Sequence, residues 1–378
     1  MMSQITCLIE EVEFLSKNKS NLIEAYQEYV KQLEANGERW VVADNPVEAR
    51  DSVQDLSEQQ QRLDAVFNTI KTGESQSDYD DLIVQMPEKP IQRMQYKFEK
   101  YIASLTYDIR EKLPVSLRCK FDRMLIAFQP TGYTNAQALV SHPDGSPLEG
   151  GLIFLNQGLY FSAGFAAKAI VLANVQGDHS FMQKEAKPAL IKGVEFYLSR
   201  SPALADSEFH ATGNPTEEGE LSTHISSVKA MMFEFIILHE FAHIVLNHHA
   251  YNEATRLTIF SEADEKNDLD SAVDKTQAAY WLEYEADRFA IDIITSASTN
   301  PQSKLANLYA IGAFFVFLEC IESQLKRGLS KTHPAPLDRL QKLADYVQNE
   351  SDEDLDFRPL QKELLSLCEN WSSEETLE

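Results

Sequence analysis

Cysteine is scarce in this chain. There are 4 in 378 residues, and Cys7, Cys119, Cys320 and Cys368 stand far apart with no C-x-x-C pair. A chain of this size does not need covalent staples, so they read as reduced thiols in a reducing compartment. Positive charge is scarce too. Lys+Arg total 34 against 59 Asp+Glu, for a net charge of −25. Such a field repels phosphate backbones and anionic lipid, which argues against nucleic-acid binding driven by counterion release. Its plain role is solubility. Long apolar runs are missing as well. The longest is LYAIGAFFVFL, Leu308 to Leu318, with Glu319 and Glu322 close behind. A bilayer needs about 20 apolar residues, so a buried helix is expected there and no membrane insertion. The first residues, MMSQITCLIEEVEF, carry Glu10, Glu11 and Glu13 and no basic stretch. That argues against a secretory signal, and a cytoplasmic location is the expectation.

What is present is ordinary for a globular protein: 43% hydrophobic and 25% charged residues. The length suits two domains, or one large domain with an accessory region. No internal repeat is visible. The first third reads as helices. Ile5, Leu8, Ile9, Val12 and Leu15 recur at helical spacing, as do Leu22, Ile23, Tyr26, Val30 and Leu33, then Leu63, Val66, Phe67 and Ile70. Polar residues 72–81 read as a connection. Ile91, Met94, Phe98, Ile102, Leu105 and Ile109 mark an amphipathic helix that Pro114 ends. No chemistry is concentrated here, so packing or a protein partner is the expected role of these helices.

Beyond residue 115 the texture changes. A short helix is expected to end near Phe128, and Pro130 to Gly151 reads as a loop that holds His142. GLIFLNQGLYF, 151–161, reads as a strand broken at Asn156-Gln157-Gly158, followed by a close-packed helix over the small residues of 163–169. Residues 200–225, with Pro202, Gly213, Pro215 and Gly219, read as a long polar loop able to limit access to a site. His210 and His224, within it, read as ordinary surface histidines.

The informative segment is MMFEFIILHEFAHIVLNHH, 231–249. It is apolar around most of a helix and should be buried. His239 and His243, at i and i+4, project from one face and can hold one tetrahedral zinc from adjacent corners. Glu240, beside the first histidine, can act on a metal-bound water as general base and then as acid. With 9 histidines in the chain, a random H-E-x-x-H somewhere is on the order of one or two in a hundred. Burying three ionisable groups in an apolar helix costs several kcal/mol unless something such as a divalent cation compensates. A catalytic zinc needs a third protein ligand. In AAYWLEYEADRFAIDII, 278–294, Glu283 and Asp287 share a face. Glu283 can bind the metal, and Asp287 can hold a ligand histidine in one tautomer. Glu262, Asp264 and Glu265 are rival third ligands, and Glu285 reads as a surface or loop-facing acid.

HEFAHIVLNH followed by EYEAD resembles the gluzincin metallopeptidases, especially the HtpX-like and CAAX-prenyl-protease-like clan. It also resembles the peptidase family of the phage exclusion protein Lit. The resemblance covers roughly 150–350. It implies a zincin-like metallopeptidase core in an α+β, predominantly helical fold, with a small sheet and an N-terminal helical region. Residues 1–112 would then be accessory helices, 113–350 the metallopeptidase domain and 351–378 an acidic tail. It implies Zn2+ held by His239, His243 and Glu283, and protein or peptide substrates. His248 matches a further histidine found in such enzymes, and IFLNQGL resembles a strand that pairs with extended substrate, which places strand addition near Leu152 to Leu155. THPAPLDRL, 332–340, resembles a segment that brings His333 near the metal, as gate, extra ligand or oxyanion stabiliser, and has Arg339 brace the site. No transmembrane helices flank the zinc motif, a departure from the membrane members. A protein with a structural, non-catalytic zinc is the rival reading. It needs a fourth protein ligand and has no use for Glu240.

Overall fold

The computed structural model describes residues 21–29, 31, 90–129, 136–142, 145–174, 180–199, 220–249, 268–298, 300–325, 333–350 and 356–372. The fold is α+β and mostly helical, with one small sheet. The chain divides into two compact units, Met1–Gln157 and Gly158–Glu378.

In the first unit α1 runs Pro90–Lys112 and α2 runs Val115–Phe121. Proline has no N–H to lose at a first helical position, so Pro90 suits the start of α1. Ile102, Leu105 and Ile109 are buried along it as their spacing predicts. The segment expected to stay helical to Phe128 is instead strand β1, Met124–Gln129. The expected loop of 130–151 contains β2, Ala136–Ser141, and the start of β3, Pro147–Asn156. The order is β1-β3-β2, with β1 parallel and β2 antiparallel to β3. β3 is therefore central, which explains why Gly151 to Phe154 read as a nearly unbroken apolar run. Leu22, Ala25 and Tyr26 cover Leu152, Phe154, Ala127 and Leu148. The expectation that Leu152 to Leu155 pair with a substrate strand fails here. These residues already pair with Leu125 to Phe128 on one side and with β2 on the other. A doubly paired strand has no backbone row left to offer.

The strand ends at Asn156, and helix α3, Gln157–Ala173, begins at the next residue. In the second unit it is followed by α4, Ser180–Ser199, α5, Glu220–Val245, and α6, Asp268–Ser296. Then come α7, Pro301–Leu325, α8, Pro336–Glu350, and α9, Arg358–Ser372. Ala163, Ala166, Ala167 and Ala169 are buried in α3, the close packing expected of small residues. Part of the expected 200–225 loop, from Glu220 on, is the first turn of α5; residues 200–219 lie outside the described residues.

The apolar run 308–318 belongs to the 25-residue helix α7, longer than the run suggested. Its span Pro301–Ser323 is the one helix among the described residues long and apolar enough to cross a membrane. Leu308, Ile311, Phe315, Val316 and Phe317 are nevertheless buried within the unit, so core packing accounts for its composition. Its start is written locally: Asn300 Oδ1 accepts from Ser303 N–H at 2.8 Å, and Pro301 follows the cap. Residues 358–372, placed by the sequence in an acidic tail, form α9, with Phe357 and Leu364 buried. Gly312 lets that helix close on α7: a Cβ there would lie 2.6 Å from Leu364 Cδ1 and 3.1 Å from Leu340 Cδ1.

Candidate metal centre

Two helices build the centre. α5 is apolar nearly all round, with Phe233, Ile237, Leu238, Phe241 and Ala242 buried, and it sets His239 and His243 one turn apart. α6 packs against it and brings Glu283 and Asp287, again one turn apart. His239, Glu283 and Asp287 are all buried, at 6–7% exposure. Charged residues are almost never so buried without partners.

The two imidazoles meet edge on. Nε2 of His239 and Nε2 of His243 are 3.1 Å apart. Glu283 completes the triangle, with Oε2 3.4 Å from His239 Nε2 and Oε1 3.5 Å from His243 Nε2. Four ligands about 2.0–2.1 Å from a tetrahedral zinc are separated by about 3.3 Å, so these spacings are those of one cation's ligand set. Glu283 Oε2 is also fully buried, with ring nitrogens of His239 at 3.4 Å and His333 at 2.9 Å beside it. Gathering this many buried ionisable groups is costly unless something compensates, and a cation answers that need. One ligand atom from each of His239, His243 and Glu283 lies within 4.8 Å of the others, so the residues present fit a metal ion. Among the described residues they are the only such group. The rival ligands Glu262, Asp264 and Glu265 lie outside the described residues, as does His210.

Behind His239 stands Asp287, with Oδ1 2.9 Å from Nδ1. The distance is that of a hydrogen bond, although the N–H direction is bent off the line, and the two charges meet in either case. Asp287 is gripped from behind by Arg339 of α8, whose Nε donates to Oδ2 at 2.8 Å while Nη2 donates to Oδ1. The guanidinium lies over the Phe315 ring, 4.7 Å from its centre. Burial opposes the charge on Arg339, but Asp287, Glu283 and Glu240 outweigh it and hold its pKa above the usual value. Burial likewise opposes the charge on Asp287, and Arg339 keeps it ionised. For His239 burial is again the largest effect, yet Asp287 and Glu283 together raise its pKa to about 10. His243 goes the other way: burial, then the charge on His239, lower it to about 3. Without a cation the pair thus carries one imidazolium, which Glu283 helps hold. Burial favours the neutral acid of Glu283, but His239 and His333 keep it ionised far below the ordinary range.

His333 lies beside Glu283. Its Nδ1 is 2.9 Å from Glu283 Oε2, and its side chain is 58% exposed. It touches a ligand carboxylate and is not part of the three-residue group. Glu240 follows His239 on α5 and is partly exposed. Sequence reasoning missed a contact on the far side of His243. His248 Nδ1 lies 2.8 Å from His243 Nδ1, and His248 Nε2 lies 3.1 Å from Glu285 Oε2. Glu285 is thus tied to the segment just beyond the end of α5. The only sequence signal was the two-residue offset of Glu285 from each member of the Glu283–Asp287 pair.

No curated protein and no solved structure matches the chain. Residues 202–357, a span that holds every residue of the centre, match the model of the family described as Peptidase U49, and this likeness supports a peptidase.

Proposed function

We propose that the chain is a zinc-dependent endopeptidase acting on protein or peptide substrates in the cytoplasm. His239, His243 and Glu283 would hold the ion. The observation that carries this reading is the convergence of two facing imidazole nitrogens and a buried carboxylate at tetrahedral spacing. When bound, zinc supplies a Lewis acid for the scissile carbonyl and a water of lowered pKa. Glu240 removes a proton from the attacking water and returns it to the leaving amine. Asp287 holds His239 in place, and Arg339 holds Asp287. His333, through Glu283, is placed to act as a gate, and its replacement by Ala then raises basal cleavage; unchanged or lower cleavage removes that role. The likeness to Peptidase U49 favours the Lit-type peptidases among the relatives suggested by the motifs, and with them a role in defence against phage. The HtpX-like likeness rests on the motifs alone. A structural zinc is disfavoured because only three protein ligands gather among the described residues, the number of a catalytic site.

The test compares the purified, zinc-loaded chain with its Glu240→Gln variant. Both are expected to bind about one zinc, and only the parent should create new N-termini in a cytoplasmic protein extract read by mass spectrometry. A parent that creates no more termini than the variant ends the peptidase reading. A parent that takes up no divalent ion ends the zinc reading.

A further inference from the structure

Each imidazole of the centre has a polar group behind it. For His239 it is Asp287. For His243 it is not a carboxylate but another histidine, and that poses a problem. Two neutral imidazoles can share one hydrogen bond in either direction, and the wrong direction disables the site. If His248 donates from Nδ1, then His243 must carry its own proton on Nε2, and its lone pair points away from His239 and Glu283. Something must set the direction.

The chain supplies it by turning back on itself. α5 ends at Val245. Leu246 N–H still bonds Ala242 O at 2.9 Å, and Asn247 then takes a left-handed backbone with φ 60°. Asparagine is a residue that tolerates this conformation at a helix end. The turn buries His248, 3% exposed, under the zinc helix, with Nδ1 2.8 Å from His243 Nδ1. Its other nitrogen, Nε2, faces Glu285 Oε2 at 3.1 Å. An ionised carboxylate only accepts. His248 must therefore carry its proton on Nε2, which leaves Nδ1 as an acceptor. His243 must then donate from Nδ1, which leaves its Nε2 lone pair facing His239.

We propose that His248 and Glu285 are a positioning pair that fixes His243 in the tautomer protonated at Nδ1. The pair does for His243 what Asp287 and Arg339 do for His239, with the polarity set by an acid at the edge of the unit. Groups behind a metal-bound histidine typically contribute a factor of about 10–100 in metal affinity. That consequence rests on the zinc reading above, whereas the tautomer does not.

The test uses the full chain and three variants: His248→Phe, His248→Asn and Glu285→Ala. Asn Oδ1 sits where His Nδ1 sat and can accept from His243; Phe fills the space and cannot. Histidine-selective 15N spectra of the metal-free protein read the tautomer directly when the parent and each variant carry His239→Ala, which removes the imidazolium whose Nε2, 3.1 Å away, would itself donate to His243 Nε2. His243 should be protonated at Nδ1 in the parent and in His248→Asn, and should lose that preference in His248→Phe and Glu285→Ala. Zinc competition against a chelator should show affinity about 10–100-fold weaker in His248→Phe, with most of the loss recovered in His248→Asn. Glu285→Ala made in the His248→Phe background should add nothing, because Glu285 acts through His248. If His248→Phe does not fold, Glu285→Ala decides, since Glu285 is 36% exposed. His243 protonated at Nε2 in the parent overturns the proposal. So does a folded variant that keeps both the parent's tautomer and its zinc affinity. The expected tautomer pattern in a parent that binds no zinc would uphold the pair and remove the metal reading. Normal zinc binding with no tautomer change would do the reverse.

Discussion

The two units each contain an arginine clamped to an aspartate by two hydrogen bonds, and the pairs live in different physics. In the first unit Arg110 Nε and Nη2 donate to Asp122 at 2.7 and 2.9 Å, with the side chains 28% and 33% exposed. In the second, Arg339 grips Asp287 in the same way with the side chains 11% and 8% exposed. Water screens the first pair, and its loss is easily borne. The second pair has given up its hydration, so each partner depends on the other. The same two residue types are surface trim in one place and the footing of a candidate metal centre in the other. Buried charge marks the site better than charge does.

Three perturbations sharpen this contrast before the pair at the surface is touched. The largest effect is expected from Arg339→Ala. Removing one member of a buried ion pair leaves an unpaired charge and costs about 3–5 kcal/mol. Denaturant unfolding of the metal-free chain should show it, and a loss below about 1 kcal/mol would mean the pair behaves as an exposed one.

The second concerns pH. Burial opposes the charge on His239, but Asp287 and Glu283 raise its pKa to about 10. In the metal-free fold its charged form adds stability that is complete below about 6.5, the unfolded value, and is lost as pH rises toward 10. Zinc has the opposite dependence, since it must displace that proton. Affinity should therefore strengthen about tenfold per pH unit from 6 to 8, with about one proton released per ion. Titration calorimetry in buffers of different ionisation enthalpy counts the proton. A release near zero at pH 7 would show that His239 is already neutral.

The third asks what the first unit depends on, if not charge. Gly150 has φ 106°, and a Cβ there would lie 2.3 Å from Arg123 O. Gly150→Ala should cost at least the roughly 1–3 kcal/mol of a strained backbone, read as a lowered unfolding midpoint. An unchanged midpoint would mean that β3 relaxes freely at Gly150.

The grouping of the candidate ligands was legible because helical spacing is local information. His239 and His243, then Glu283 and Asp287, each share a face by count alone, and α5 announced its burial by having almost no polar side. What escaped depends on contacts distant in the chain. β1 read as the end of a helix because a six-residue apolar run has no decisive period. Only its pairing with β3 makes it a strand. That pairing also made β3 central and closed it to a substrate. Glu285 read as a loose acid because the count from Glu283 turns it away from the face that Glu283 and Asp287 share. Its partner reaches it through the left-handed turn at Asn247, a backbone feature that residue spacing does not encode.

The smallest effect is expected from Arg110→Ala, and it decides whether exposure is the right variable. Arg110 makes more side-chain hydrogen bonds than Arg339. It donates both nitrogens to Asp122 and one more to Glu111 at 3.1 Å. If hydrogen-bond number governed stability, its loss would rival that of Arg339. If desolvation governs, the Asp122 carboxylate left behind simply hydrates, and the cost stays within about 0–1 kcal/mol. It should shrink further in high salt, which screens exposed charges and barely reaches buried ones. Unfolding of Arg110→Ala and Arg339→Ala side by side, at low and high ionic strength, separates the two accounts. A salt-independent loss of several kcal/mol at Arg110 would break the contrast, because an arginine–aspartate clamp would then be worth the same wherever the fold puts it.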